Sequence, residues 1–226
     1  MPEPLTILHL DEHVVAVDKP TGLLVHKTRT GADEEALLQR LRDQLGRRIY
    51  PVHRLDRAAS GAIAFALASE HTAALQAGFQ APDAVKEYLV VARGVAPLAF
   101  ESRRPLTDDK GVARDAWTEV ARVMLLPDSR CSLLRVRIHT GRQHQIRRHL
   151  AHAAHHVLGD TRYGKGKDNR YHRQAHGLPR LCLHAWRLDV AHPAGGRLSV
   201  TCPLAPDLRE FLGRLPDVDR AALEAL

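Results

Sequence analysis

The residues best suited to chemistry surround Asp56. Arg54 and Arg57 flank it, His53 precedes it by three positions, and the apolar run 62–68 that follows is typical of a buried strand. Neighbouring cations favour the ionised form of a carboxyl group. An ionised carboxylate at the edge of a strand can act as a nucleophile or as a base. A structural Asp–Arg ion pair would use the same residue types, so this segment alone leaves both interpretations open.

Two further motifs carry groups that could assist such a carboxylate. Tyr88, in the sequence Lys-Glu-Tyr, has a ring that could stack on a base, although a tyrosine near the start of a strand is more often a core or interface residue. In the predicted helix 143–153, Arg147 shares a face with apolar residues and is directed to the interior. A lone cation is costly there without an acidic partner, and Asp56 is a candidate for that partner.

The elements that must position these residues are many short strands and few helices. Strands are predicted over 5–10, 13–17, 23–25, 62–68, 85–91, 117–126, 131–139, 181–190 and 197–201. Helices are predicted over 33–45, 70–79 (capped by Ser69) and 143–153, with a short one from about Pro206. This pattern favours an α+β fold with a mostly antiparallel sheet. The segment 159–178, rich in Gly, Lys, Arg, Asn and His, is predicted to be a long surface loop.

Positive charge is concentrated in one stretch of the chain. The net charge is +7, and residues 142–180 alone contain nine Lys or Arg against Asp160 and Asp168, which equals the whole excess. Such a basic face suits a polyphosphate partner, because Lys and Arg replace condensed counterions along a nucleic-acid backbone. A solvated basic surface with no nucleic-acid role would have the same composition.

Several classes of protein are disfavoured by what the sequence lacks. Cys131, Cys182 and Cys202 are odd in number, far apart and without a CxxC pair, which argues against a disulfide framework or a cysteine zinc site and favours a reducing cytoplasm. No apolar run is long enough to span a bilayer, and the first residues do not resemble a signal peptide. We therefore expect a cytoplasmic protein with a single domain over residues 1–226.

Taken in order, the motifs resemble those of the RluA-type pseudouridine synthases. HRLD with a following SG, then KEY, TGRQHQIRRHL and LGDTRYG stand in the family's order, and VAVDKPTGLLVH is similar to its first motif. Several independent motifs in order are more specific than a lone pattern, and the similarity runs from about residue 5 to residue 204. The stretch GRQHQIRRHLAHAAHHVLGDTRYGKGKDNR is most similar to the TruC branch, which modifies tRNA.

The resemblance implies the pseudouridine synthase catalytic fold, with a catalytic cleft across the sheet and no separate N-terminal RNA-binding domain. It implies that Asp56 is the catalytic aspartate, that Tyr88 stacks on the uracil and that Arg147 pairs with the aspartate. The sequence departs from the family at Ala58-Ala59, where a threonine usually stands just before SG; the change removes a hydroxyl but no catalytic group. The residues assigned to RNA binding are Arg54, Arg57, Arg142, His144, Leu150, Arg162, Lys165, Lys167 and Arg170. Within this set, Arg54 matches an arginine that enters the space of the extruded nucleotide in some members, and Leu150 is expected to line the pocket.

The implied reaction converts uridine to pseudouridine by breaking an N-glycosidic bond, turning the base and forming a carbon–carbon bond. Nothing is oxidised or added, so we expect neither a cofactor nor a metal. The target nucleotide must be flipped out of its stack at a cost of a few kcal/mol. The expected partner is RNA, with tRNA preferred and ribosomal RNA as the alternative, and neither a membrane nor an obligate protein partner is indicated.

Two other functions use the same residues differently. A metal-dependent RNA hydrolase could place His149, His152 and His156 on one helical face, although no acidic residue lies within 143–159 to complete such a site. A non-catalytic RNA-binding protein of the same fold would need none of Asp56, Tyr88 and the paired arginine, yet all are present.

Overall fold

The computed structural model describes residues 3–26 and 36–226, in which the chain forms two compact units. The first unit is Met1–Lys86 with Ala185–Cys202, and the second is Glu87–His184 with Pro203–Leu226. The strands are β1 (Ile7–Leu10), β2 (Val14–Lys19), β3 (Tyr50–Pro51), β4 (Ser60–Ala66), β5 (Val85–Arg93), β6 (Ala99–Ser102), β7 (Leu106–Thr107), β8 (Ala113–Arg114), β9 (Thr118–Leu126), β10 (Cys131–Ile138), β11 (Leu183–Ala191) and β12 (Arg197–Thr201). The helices are α1 (Leu37–Leu45), α2 (Thr72–Gln80), α3 (Gln145–His152), α4 (Gly166–His176), α5 (Pro206–Gly213) and α6 (Arg220–Glu224).

The predicted α+β class is confirmed. Pairing is antiparallel between β1 and β2, β2 and β4, β5 and β10, β9 and β10, and β11 and β12. The predicted strands over 62–68, 117–126 and 131–139 correspond to β4, β9 and β10, and the short helix predicted from about Pro206 begins at that residue. Whether the two units behave as one domain stays a prediction.

In the first unit, the strand order is β1-β2-β4-β11, with β3 beside β4 and β12 beside β11. All seven residues of β4 are buried, which explains its unbroken apolar sequence. Helix α2 packs Leu75 and Phe79 into the same core as this strand. Gly61 has a φ of +108°, and a Cβ there would lie 2.2 Å from the carbonyl oxygen of Ala185. The glycine of the SG motif therefore permits close packing of β4 against β11.

In the second unit, the strand order is β5-β10-β9-β6, and helix α3 follows β10 along the chain. Tyr88 on β5 is in register with Val136 on β10. Gln145, the first residue of α3, is buried and ties the helix start to the preceding turn and to β9. Its side-chain amide donates to the Trp117 carbonyl and to the Thr118 hydroxyl, each at 2.9 Å.

The predicted surface loop over 159–178 is wrong in its second half, which is helix α4. The inward face of this helix is polar: Asn169 and His172, three residues apart, are its buried members. The Asn169 side chain accepts from the Gly159 amide and donates to the Asp160 carbonyl, both at 2.9 Å. A left-handed Gly177 ends the helix. Because the buried face carries amide and imidazole groups, a search for apolar periodicity does not detect it.

Three smaller predictions also differ from the structure. Ser69 does not cap a helix; it begins a 3₁₀ turn, Ser69–His71, that leads into α2 without a side-chain cap. Residues 23–25 form no strand, and only Leu24 makes a single bridge, to Ala36. Helix α1 begins at Leu37, while residues 33–35 of the predicted helix lie outside the described residues.

Cys131, Cys182 and Cys202 are free thiols, and all three are buried. Burial raises the pKa of Cys131 to about 12 and raises the pKa of the other two thiols as well. Within residues 3–26 and 36–226, none of the helices has the length and apolar character needed to cross a membrane.

Candidate active site

Asp56 lies in a turn between β3 and β4 of the first unit. Its carbonyl oxygen accepts a hydrogen bond from the Ala59 amide at 3.1 Å, which closes the turn. Asp56 is half-buried and Leu55 is buried, while Arg54 and Arg57 on either side are exposed. The turn therefore presents a partly accessible carboxylate between two accessible cations.

A buried lysine joins this turn to the Lys-Pro-Thr-Gly motif. Lys19 is fully buried, and its ammonium group donates to three main-chain carbonyl oxygens. The acceptors are Pro20 at 2.8 Å, Leu23 at 2.9 Å and Arg57 at 3.2 Å. The Gly22 amide also donates to the Arg57 carbonyl, at 2.8 Å. The first motif of the sequence thus fixes the main chain beside the aspartate, because a buried ammonium group must keep its hydrogen bonds.

His53 anchors the start of the same segment. Its Nε2 accepts a hydrogen bond from the Ala64 amide at 3.0 Å, and its ring stacks on Phe79 with centroids 4.1 Å apart. Burial, together with the positive charge of Lys86, lowers the pKa of His53 to about 3. The expectation that His53 helps to hold Asp56 ionised is therefore wrong, because this imidazole is neutral near pH 7.

Arg147 is buried on helix α3 of the second unit, as predicted, and within that unit it pairs with Asp160. Its Nε lies 2.7 Å and its Nη2 2.9 Å from the two carboxylate oxygens, a bidentate arrangement. Burial would raise the pKa of Asp160, but the bonds from Arg147 and from the Arg162 and Tyr163 amides lower it below the ordinary value. The pairing of Arg147 with Asp56 stays a prediction.

Sequence reasoning missed the roles of Lys19 and Asp160. Lys19 stood in a recognised motif, but nothing in its spacing indicated burial. Asp160 was counted only as one of two negative charges in a basic stretch. The sequence did contain a signal for the role of Asp160, because a buried Arg147 requires an acidic partner and few acidic residues lie near Arg147 in the sequence. Tyr163 completes this group, with the Arg147 guanidinium 5.1 Å from its ring centroid.

The other predicted residues differ in how much surface they offer. Tyr88 is buried on β5 and Leu150 is fully buried in α3, which does not favour direct contact of Leu150 with RNA. The exposed members of the RNA-binding set are Arg54, Arg57, Arg142, Arg162, Lys165, Lys167 and Arg170. His144 is half-buried, and its Nδ1 lies 3.1 Å from the Tyr163 hydroxyl. Arg180 was expected in the basic surface, but its side chain is bound to Asp207.

Two of the three histidines of the alternative hydrolase site, His149 and His156, have other partners. Nδ1 and Nε2 of His149 lie 2.9 Å from the Thr118 hydroxyl and the Arg104 carbonyl, so both ring nitrogens are engaged. His156 Nδ1 lies 2.7 Å from the Tyr163 carbonyl oxygen. This arrangement does not favour the metal-dependent alternative.

The fold and these motifs define a class of RNA-modifying enzyme, and comparison with known proteins agrees. Residues 13–152 match the RNA pseudouridylate synthase family, and the chain belongs to that family. The resemblance to RluA-type pseudouridine synthases and the predicted enzyme class are thereby confirmed.

Among similar proteins are those named tRNA pseudouridine synthase C. The Pasteurella multocida protein is 39% identical over 210 residues, which cover 84% of this chain and 86% of the relative. The Salmonella typhi protein is 33% identical over 98% of this chain and 96% of its own length. The solved structure of human RNA pseudouridylate synthase domain containing 4 superposes with a TM-score of 0.75, covering 93% of this chain and 92% of that one at 24% identity, and so shares the fold.

Proposed function

We propose that this protein isomerises a uridine of tRNA to pseudouridine, with Asp56 as the catalytic carboxylate. The observation that carries the proposal is the fixing of the Asp56 turn by Lys19, which brings two sequence motifs together around one accessible carboxylate. The tRNA substrate is supported by the relatives named tRNA pseudouridine synthase C. A cytoplasmic location follows from that substrate.

The proposed roles of the other residues follow from their chemistry. Tyr88 stacks on the uracil, and Arg147 contributes a fixed positive charge, its orientation set by Asp160. The exposed arginines Arg54 and Arg57 beside the aspartate bind the flanking phosphates or fill the space of the flipped nucleotide. No redox step is involved, because the reaction exchanges a C–N bond for a C–C bond.

The test uses the hydrogen that the reaction must release. C5 of uracil loses its hydrogen when it bonds to the ribose, so RNA carrying tritium at uridine C5 should release tritium to water. The purified protein is incubated with tRNA and, separately, with ribosomal RNA. Release from tRNA, with sequencing that maps pseudouridine to one position, supports the proposal. Release from ribosomal RNA alone would favour the alternative substrate, and binding without release would favour a non-catalytic protein.

A further inference from the structure

A carboxylate in the first unit is fixed so that one oxygen faces two imidazoles. Asp11 stands between β1 and β2, and its Oδ1 accepts hydrogen bonds from the His13 amide at 2.7 Å and the Val14 amide at 2.8 Å. These bonds set the plane of the carboxylate. Oδ2 then lies 2.8 Å from Nε2 of His9 and 3.0 Å from Nε2 of His192.

These three side chains are the only group of at least three His, Cys, Asp or Glu, among residues 3–26 and 36–226, whose ligand atoms all lie within 4.8 Å of one another. Nε2 of His192 is buried and has no aligned hydrogen-bond acceptor in the part of the chain that is described, although the Asp11 carboxylate is close to it. A buried polar atom without a hydrogen bond is unusual in a folded protein and requires an explanation.

We propose that His9, Asp11 and His192 form a binding site for a divalent transition-metal ion of the zinc class. Two imidazole nitrogens and one carboxylate oxygen are ligands that zinc prefers, with water in the fourth position. At metal–ligand distances of about 2.0–2.1 Å, tetrahedral geometry places neighbouring ligand atoms about 3.3 Å apart. The present separations of 2.8 and 3.0 Å would have to widen by only a few tenths of an ångström.

The surroundings of the site fit this role. The side chains of His9 and Asp11 are each 33% exposed, which leaves an open side for entry of the ion and for the water ligand, whereas His192 at 10% exposure holds the closed side. The hydrogen bonds to Asp11 outweigh its burial and lower the pKa of the carboxyl well below its ordinary value, so the ligand is ionised near neutral pH.

One contact must change when the ion binds. Nδ1 of His192 accepts a hydrogen bond from the Ala194 amide at 3.2 Å, so the neutral ring carries its proton on Nε2. Coordination through Nε2 moves that proton to Nδ1 and ends this contact. Ala194 is exposed, and water can replace the lost acceptor. The alternative is a hydrogen-bonded His-Asp-His cluster that holds the end of β1 beside the end of β11 and binds no ion.

The experiment measures zinc binding to protein freed of any affinity tag and stripped with chelator. Isothermal titration should give one equivalent of zinc for the wild type, and cobalt should give the visible absorption of a site with low coordination number. His9→Gln and His192→Gln should each weaken zinc binding by roughly tenfold or more. His152→Gln, a change at an exposed histidine in the second unit, should leave it unchanged.

His9→Gln keeps the test independent of misfolding, because the His9 side chain is 33% exposed and its loss disturbs little packing. Zinc should also raise the melting temperature of the wild type and of His152→Gln, but not of His9→Gln. Equal zinc affinity in wild type, His9→Gln and His192→Gln would overturn the proposal, as would the absence of micromolar binding in the wild type. Isomerisation uses none of these residues, so tritium release from stripped protein tests the proposed function separately.

Discussion

At the scale of single residues, the proposed reaction depends on the charge of Asp56. We expect Asp56→Asn to abolish tritium release while leaving the fold and RNA affinity nearly unchanged, because the amide has almost the same size but no charge. Asp109→Asn, at an exposed aspartate, is the matched control and should retain full activity. Turnover of Asp56→Asn within a few-fold of wild type would remove this residue from the catalytic role.

His53 should make the stability of the protein depend on pH. The folded protein holds the pKa of His53 near 3, against 6.5 for the free side chain, so below pH 6.5 the unfolded chain binds a proton that the folded chain does not. The free energy of unfolding is therefore fully retained above pH 6.5 and falls as the pH decreases towards 3, by up to about 1.4 kcal/mol per pH unit.

Denaturant unfolding measured between about pH 6.5 and pH 5 checks this expectation. His53→Gln keeps an acceptor for the Ala64 amide but cannot titrate, so its stability should fall less over the same range. The lowered pKa values of His149 and His172 have the same sign and leave a residual slope in the variant. Identical slopes for the two proteins would show that His53 is not held neutral.

The predicted catalytic residues came from motif order, because Asp56, Tyr88 and Arg147 have no individual feature that separates them from structural residues. Burial of Arg147 could be predicted from helical spacing alone. The ion pair of Arg147 with Asp160 could not be predicted. Asp160 lies in the loop between α3 and α4, and the path of that loop cannot be read from the sequence. Burial of Lys19 could not be predicted either, because its ammonium group donates to main-chain oxygens, which any sequence could supply.

At the scale of elements, Gly159 permits close packing of main chain in the loop before α4, whereas Gly166 in α4 does not serve packing. A Cβ on Gly159 would lie 1.9 Å from the Arg180 carbonyl oxygen, and its φ is +79°. We expect Gly159→Ala to lower the melting temperature markedly, because main chain would have to move. At Gly166, the first residue of α4, a Cβ meets nothing within 4 Å, so Gly166→Ala should be neutral or stabilise by up to about 1 kcal/mol. Equal melting temperatures for the two variants would contradict this account.

Because residues Gly166–His176 form helix α4, we expect RNA to dock on exposed cations of a helix and not on a flexible loop. Lys165, Lys167 and Arg170 are exposed at or next to its first turns. If they touch phosphates, their joint replacement by Ala should weaken RNA binding and flatten its log–log salt dependence by about two to three units. Turnover at saturating RNA should change much less.

The matched control removes the same charge elsewhere, by replacing Arg48, Lys110 and Arg220 together, all of which are exposed. Its salt dependence should resemble that of the wild type. If the two triple variants have equal slopes, net charge alone governs binding and α4 does not dock on the RNA backbone.

Strands β4, β9 and β10 were predictable because apolar residues prevail in each over the right length between turn residues, whereas the short strands β3, β6, β7 and β8 were not predicted. Helix α4 was not, because it buries Asn169 and His172 through specific hydrogen bonds and has glycines at both ends. The pattern of such a helix differs little from that of a surface loop when only hydrophobicity is read.

At the scale of the whole molecule, the chain passes between the two units three times, so neither unit is a continuous segment. Each unit is completed by a second segment, Ala185–Cys202 in the first and Pro203–Leu226 in the second, which the chain reaches only after passing through the other unit. We therefore expect calorimetry to show one transition, with equal calorimetric and van't Hoff enthalpies, as for a single domain. Two resolved transitions would contradict the prediction of one domain over residues 1–226.

The buried thiols have a practical consequence. Alkylating reagents attack the thiolate, and burial keeps Cys131, Cys182 and Cys202 both protonated and inaccessible in the native protein. The three native cysteines should therefore not react when a cysteine introduced at the surface is labelled. A cysteine introduced at Leu98, which is 72% exposed, could carry a single fluorophore without removal of any native cysteine. Slow labelling of the unaltered protein would in turn measure how often local or global unfolding exposes one of these three thiols to solvent.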